Sequence, residues 1–220
     1  MLTKEFLENG INVYQDDELY TFTSDAILLS KFAVVKKGER VADFCSGSGV
    51  VGFNLYALNK DKIESVSFFE LQKPLFDLSV KSIEENQLIG KFFAYNQKIQ
   101  DISSNFYGKF SLITCNPPYM KRGAGEEKLE SSKKIAMSEV EITLSELMEK
   151  IGKCLKFGGR TCIVHRADRL GEIIVEMHKN GIEPKKLTPV SAVNKDPYLV
   201  LIEGVKGGKN SIKITKTLIN

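Results

Sequence analysis

The chain has 220 residues, 42% of them hydrophobic and 27% charged, the profile of one globular domain and not of a collagen-like, disordered or low-complexity chain. No apolar run approaches the ~18 residues that cross a bilayer, and the N-terminus MLTKEFLENG has no apolar stretch and carries acids early, unlike a secretory leader. Cys45, Cys115, Cys154 and Cys162 form no C-x-x-C pair and three of them lie in apolar, strand-like runs, which points to a reducing cytoplasm. The net charge of +3 hides a split: residues 150–220 carry 14 basic against 6 acidic side chains, and the rest carry 17 against 22. By itself such a split reads first as ordinary solvated faces and second as a polyanion surface, so the motifs must decide.

No internal repeat and no Pro/Ser-rich linker divides the chain. The first strong element is a strand over 39–44, followed by a glycine-rich turn and a helix over about 50–59. A strand over 65–69 comes next, then a helix with Pro74 in its first turn that reaches Asn86. Strand patterns recur at 92–95, 110–115 and 160–165, with a long helix over 139–155 before the last, stopped by Phe157-Gly158-Gly159. A helix over 168–179 ends at Asn180-Gly181, and strands over 185–191 and 198–204 flank the turn residues 194–197. Alternating strands and helices imply a mainly parallel sheet covered on both faces. The last connection is too short for a parallel crossover, so one late strand should run antiparallel.

Residues 43–52 read D-F-C-S-G-S-G-V-V-G, with Gly47, Gly49 and Gly52 spelling G-x-G-x-x-G between a strand and a helix. Glu70 ends the next strand, where it can accept hydrogen bonds from ribose hydroxyls. A dinucleotide would set its pyrophosphate on the helix N-terminus, and the acid Asp43 beside the loop would repel it. A donor carrying an ammonium and a sulfonium, S-adenosylmethionine, suits an acidic approach better.

The strand over 110–115 runs into Asn116-Pro117-Pro118-Tyr119, at the carboxyl edge where open α/β sheets bind ligands. The prolines hold an extended path and remove N–H donors, leaving carbonyls to accept, and Asn116 adds an amide oxygen. This pattern suits gripping an exocyclic amine while its lone pair attacks a methyl group, with Tyr119 as the aromatic face for an unstacked base.

Residues 43–52, Glu70 and Asn116 to Tyr119, in this order, resemble the class I S-adenosylmethionine-dependent methyltransferases that act on amino or amide nitrogen. Residues 22–30, 155–160, 164–170 and 196–209 narrow the likeness to the small bacterial valine-tRNA adenine-N6 methyltransferases, over nearly the whole chain. The resemblance implies a Rossmann-like, mainly parallel seven-stranded sheet with one antiparallel late strand. It divides the single domain into a short extension (1–25), a core (26–205) and a basic tail (206–220). It implies N6-methylation of an adenine in tRNA, adenine 37 of tRNA(Val), in the cytoplasm. Asn116, Pro117, Pro118 and Tyr119 are then catalytic, and Ser24, Asp25, Asp43, Cys45, Ser46, Gly47, Gly49, Glu70, Leu71 and Asn116 hold the cofactor. Two departures stand out. Where the family has an acid that meets the cofactor adenine this chain reads Asn96-Gln97-Lys98, and an Ala-Arg-His-Glu-like segment appears as Ala136-Met137-Ser138-Glu139.

NPPY is shared by adenine-N6 and glutamine-N5 enzymes, so a protein glutamine-N5 methyltransferase is the alternative, as is a noncatalytic RNA-binding module on the same fold. The length leaves no room for a DNA target-recognition domain, and only about 25 residues precede the core where a release-factor enzyme carries a helical domain. The basic third, with Arg166, Arg169, Lys185, Lys186, Lys206 and Lys209, joins Arg122 and His165 as the expected RNA contacts. His165 is given no chemical role. Residues 121–134 read as a loop that closes over the base or as a plain surface loop. Neither a metal site, a membrane nor an obligate protein partner is expected.

Overall fold

The computed structural model describes residues 1–19, 23–117, 119 and 142–220. Pro118, Arg122, the 121–134 loop and the 136–139 segment lie outside the described residues. Strands β1 (Leu2–Phe6) and β2 (Asn12–Asp16) form an antiparallel hairpin. Its register is held by helix α3 (Lys73–Glu85): the Tyr14 N–H donates to Ser82 Oγ at 2.9 Å, and Asn86 donates to the Asn12 carbonyl at 2.7 Å. With Val13 fully buried, the hairpin is part of the body of the fold.

The remaining elements follow in order: α1 (Ser24–Phe32), β3 (Glu39–Phe44), α2 (Val50–Asn59), β4 (Ile63–Glu70), then α3, β5 (Phe92–Asn96) and β6 (Phe110–Cys115). After these come α4 (Leu144–Cys154), β7 (Leu155–Arg166), α5 (Leu170–Lys179), β8 (Ile182–Ser191), β9 (Leu199–Lys206), β10 (Lys213–Ile214) and β11 (Leu218–Ile219). The main sheet runs β10-β8-β9-β7-β6-β3-β4-β5, and β11 also pairs with β8. Among the described strands of this sheet only β9 is antiparallel to its neighbours, between β7 and β8. The seven principal strands match the expected sheet. The correction is in the tail: residues 213–214 and 218–219 add two short strands along the β8 edge, making nine among the described residues.

Two further expectations shift. Phe157-Gly158-Gly159 does not stop the helix, because β7 starts at Leu155 directly after Cys154 and passes through a register shift opposite 110–112. The helix itself begins at Leu144, where Thr143 and Glu146 form a reciprocal capping box. The α5 helix starts at Leu170, after one 3-10 turn over Ala167–Arg169.

Alternation along β3 sends Val41 to one face and Ala42 and Phe44 to the other. On the α1, α2 and α3 side, Phe53 stacks on Phe92 with centroids 5.1 Å apart and meets Phe68 at 5.0 Å. On the α4 and α5 side, Phe69 packs on Phe44 and Tyr95 at 5.3 and 5.0 Å. From β3 the chain moves outward through β4 to β5, then returns to β6 on the other side. This reversal opens a crevice at the carboxyl ends of β3 and β6.

Candidate active site

A cavity of about 680 Å³ occupies that crevice, within the range of small-molecule sites. The turn after β3 forms its floor. The Gly47 N–H donates to Glu70 Oε2 at 2.7 Å, and the Ser46 N–H to the Phe69 carbonyl at 3.2 Å, tying the turn to the end of β4. Gly49 has φ +89°, and a Cβ there would sit 2.9 Å from Phe53 and Phe68. At Gly52 a Cβ would fall 2.4 Å from Phe68, so this glycine brings α2 down onto the sheet. Of the three motif glycines, Gly47 lines the cavity; Gly49 and Gly52 act through packing.

Asp43 corrects an expectation. It is 1% exposed and does not reach the cavity. It accepts hydrogen bonds from the Thr114 hydroxyl (2.7 Å) and the Gly52 N–H (3.2 Å), fastening the start of α2 to β6. Burial pushes its carboxyl up to about 7, so at neutral pH its charge is partial and its repulsion of a phosphate is weaker than the sequence suggests. Glu70, by contrast, lines the cavity, and its carboxylate also accepts from the Gln72 N–H at 2.8 Å. Burial raises its pKa as well.

The other expected cofactor residues divide. Asp25, Cys45, Ser46, Leu71 and Asn116 line the cavity, whereas Ser24 does not and instead accepts from the Asn220 amide at 2.8 Å. Pro117 and Tyr119 lie in the same wall. The Tyr119 hydroxyl hydrogen-bonds to Asn116 Oδ1 and approaches Asp25 Oδ2 at 3.2 Å. An incoming amine therefore competes with Tyr119 for the Asn116 oxygen.

The expected RNA contacts separate by position. Arg166 lies on the cavity rim, its exposed guanidinium bidentate on Asp168 at 3.2 and 2.7 Å. His165 is fully buried beneath Tyr119, ring centroids 5.3 Å apart, and accepts the Arg166 N–H on Nδ1. Burial lowers its pKa to about 4, keeping it neutral. Arg169 is 6% exposed and forks onto Glu172. Neither residue offers a surface cation, and both expectations are corrected. Lys206 donates to the Leu155 carbonyl, Lys185 to the Lys209 carbonyl, and Lys186 lies over the Phe32 ring at 4.3 Å. Ile182 and Lys206 are paired at the amino end of the sheet, while Val190 and Leu199 are paired at the carboxyl end. Lys185, Lys206 and Lys209 therefore stand at the end remote from Asn116.

Thr23, Asp168 and Tyr198 line the cavity and were missed in the sequence, while Gln97, from the segment where the family has an acid that meets the cofactor adenine, lines it too. Gln97 and Tyr198 stand next to strand ends, and the rule that α/β ligands gather at carboxyl edges offered a signal for Gln97. Thr23 and Asp168 carried none. Gln15 on the hairpin was also missed; it donates to Ser48 Oγ in the glycine turn. Two buried wall atoms, Ser46 Oγ and Gln97 Nε2, have no hydrogen-bond partner among the described residues. Unmet polar atoms in a cavity wall fit a ligand with polar groups at both ends. Among the described residues no cluster could hold a metal, and no helix is long and apolar enough to cross a membrane.

The sheet order, the glycine turn and the polar crevice define a Rossmann-like methyltransferase fold. Residues 8–178 match the methyltransferase small domain family, and the chain belongs to that family. Curated relatives include tRNA1(Val) (adenine(37)-N6)-methyltransferases. That of Pasteurella multocida is 28% identical over 46% of this chain and 42% of its own. That of Flavobacteriaceae bacterium is 22% identical over 73% of this chain and 66% of its own, and that of Shewanella sediminis 21% identical over 80% and 72%. The matched region thus spans 42% and 66% of the first two relatives' lengths. Among solved structures, a predicted O-methyltransferase from Agrobacterium tumefaciens superposes with a TM-score of 0.69 at 18% identity, covering 89% of this chain and 86% of its own. TYW2 from M. jannaschii in complex with AdoMet gives 0.63 at 13% identity, over 92% and 84%.

Proposed function

We propose that the protein methylates the exocyclic N6 amine of an adenine in tRNA, adenine 37 of tRNA(Val), using S-adenosylmethionine. The observation that carries this reading is the shared cavity: Asn116 and Tyr119 line the same space as Ser46, Gly47 and Glu70. The names of the curated relatives support the substrate.

Glu70 is set to accept from ribose hydroxyls, and the turn at Ser46 and Gly47 to receive the amino-acid end of the donor. When bound, the donor supplies an electrophilic methyl on a positively charged sulfur. Asn116 Oδ1 and the Pro117 carbonyl accept the two N–H groups of the target amine, which turns its lone pair away from the ring. A nitrogen–carbon bond forms as the carbon–sulfur bond breaks, and the sulfur keeps the electron pair. The nitrogen then releases a proton to water, so no strong base is needed among the wall residues. Tyr119 supplies the stacking face for the base, supported from below by neutral His165.

Incubation with methyl-labelled donor and bulk tRNA, followed by nucleoside analysis, tests the reading. The expected product is labelled N6-methyladenosine, reduced at least about a hundredfold by Asn116→Ala. Label in a protein glutamine, or no label in tRNA, would overturn it.

A further inference from the structure

We infer that the Tyr198 ring is a second aromatic platform of the site, on which the base next to the target adenine stacks while the target is held at Asn116. The inference rests on the tRNA reading above and deepens it. Strand order divides the cavity into a donor side and an RNA side. From Asn116 at the end of β6, the glycine turn and Glu70 lie towards β3 and β4, whereas Arg166 at the end of β7 and Tyr198 at the start of β9 lie the other way. Strand β9 is antiparallel to β7, so its start comes to the carboxyl edge where the other strands end. Two strand spacings, roughly 10 Å, separate β6 from β9. A base whose amine is on Asn116 and whose face is on Tyr119 therefore has its neighbour, and not itself, over Tyr198.

Tyr198 is fixed at each of its polar atoms. Its N–H donates to the Val190 carbonyl at 3.0 Å, its carbonyl accepts from the Ala167 N–H at 3.0 Å, and its hydroxyl accepts from the Asn220 amide at 2.8 Å. The same amide donates to Ser24 Oγ in the first turn of α1, next to Asp25, which the Tyr119 hydroxyl approaches at 3.2 Å. Both rings are thus tied through their hydroxyls to adjacent residues of one helix start, Tyr119 directly and Tyr198 through Asn220. They differ in cover: Tyr119 is backed by buried His165, whereas Tyr198 remains 44% exposed. An aromatic ring held at its backbone and its tip, with an open face at a cavity mouth, loses little freedom when a flat partner arrives. The Ala167 bond also sets Tyr198 beside Arg166, whose backbone pairs with that of Leu199 and whose guanidinium lies on the rim. An aromatic face next to a cation matches a nucleotide, base on ring and phosphate on guanidinium. Taking the target out of its stack leaves the adjoining base with a bare face, and covering that face with Tyr198 offsets part of the unstacking cost. Because every base has such a face, the contact selects an unpaired neighbour and no particular base.

A double-mutant cycle between protein and RNA tests this. Full-length tRNA(Val) is assembled by ligation with the nucleotide on either side of the target adenine intact or abasic, and kcat/KM is measured for wild type, Tyr198→Phe, Tyr198→Leu and Tyr198→Ala. Loss of one base–aromatic stack lowers kcat/KM by about tenfold. We expect that loss in Tyr198→Ala and Tyr198→Leu, and less than about threefold in Tyr198→Phe, which keeps the ring. At one of the flanks, removing the base should lower kcat/KM about tenfold in wild type but less than about twofold in Tyr198→Ala and Tyr198→Leu. Affinity for S-adenosylhomocysteine, titrated calorimetrically, should stay within about twofold of wild type in all these variants, because the donor lies on the other side of Asn116. Equal abasic penalties in wild type and Tyr198→Leu at both flanks would overturn the inference. So would a loss in Tyr198→Phe as large as in Tyr198→Leu, or a fall in S-adenosylhomocysteine affinity that matches the fall in kcat/KM. Should Tyr198→Ala not fold, Tyr198→Leu, which keeps an apolar side chain, decides alone. Absence of any N6-methyladenosine from wild type would remove the tRNA reading itself and this inference with it; methylation with equal penalties removes only the part given to Tyr198.

Discussion

Asp43 shows how a residue does different work from what its place in a motif suggests. Asp43 looks like a cofactor acid, yet it is spent on Thr114 and Gly52. Its folded pKa of about 7 lies above the ordinary 3.8. Its contribution to stability is therefore complete below about pH 4 and is lost as the pH rises through about 7. Asp43→Asn keeps both bonds, since the Thr114 hydroxyl can turn to the Ala42 carbonyl at 3.4 Å and accept from the new amide. Urea unfolding should show wild type losing stability relative to Asp43→Asn across that window; parallel pH profiles would refute it. His165, lowered to about 4, acts in the opposite sense between about pH 6.5 and 4, which is why the difference between the two proteins is the measurement to use. At Tyr119 the ring is assigned more of the work than the hydroxyl. Tyr119→Phe should keep kcat/KM within about threefold, whereas Tyr119→Ala should lose the ~1–3 kcal/mol of a base–aromatic stack, measured on tRNA. Equal losses would assign the role to the hydroxyl.

The elements are positioned by close approaches that no hydropathy pattern reveals. The α2 helix lies on β4 because Gly52 leaves room for Phe68. Gly52→Ala should cost about 1–3 kcal/mol in urea unfolding by overpacking. Because the same movement shifts the Gly47 to Glu70 contact, cofactor affinity should fall with it; full stability would show that Phe68 yields freely. The terminal strands illustrate another gap. The tail reads as a basic extension, but β10 and β11 cover the edge of β8, and Asn220 reaches Ser24 and Tyr198 at 2.8 Å each. Two-residue strands carry too little periodicity to be seen in sequence; their pairing depends on an edge with free backbone groups.

At the scale of the whole molecule, charge and function are not divided simply by sequence position. The basic C-terminal third is real in composition, yet Lys185, Lys206 and Lys209 face away from the carboxyl edge, while Arg166 stands on the rim. Titration of tRNA at several salt concentrations should show Arg166→Ala weakening binding and reducing the salt slope by about one. Lys209→Ala should do less, and equal effects would mean that the RNA wraps to the amino end of the sheet.

The sequence by itself determined the alternating α/β order, the antiparallel late strand, the glycine turn and the Asn116 to Tyr119 segment. Those features are local: periodicity, turn chemistry and short motifs are written in neighbouring residues. Only the tertiary structure decided that Asp43 is a buried fastener, that His165 underlies Tyr119, and that Gln15 reaches the glycine turn. It also decided that Gln97 shares a wall with Glu70. These facts depend on which strands become neighbours and which face each side chain takes, and long-range pairing across the sheet sets both.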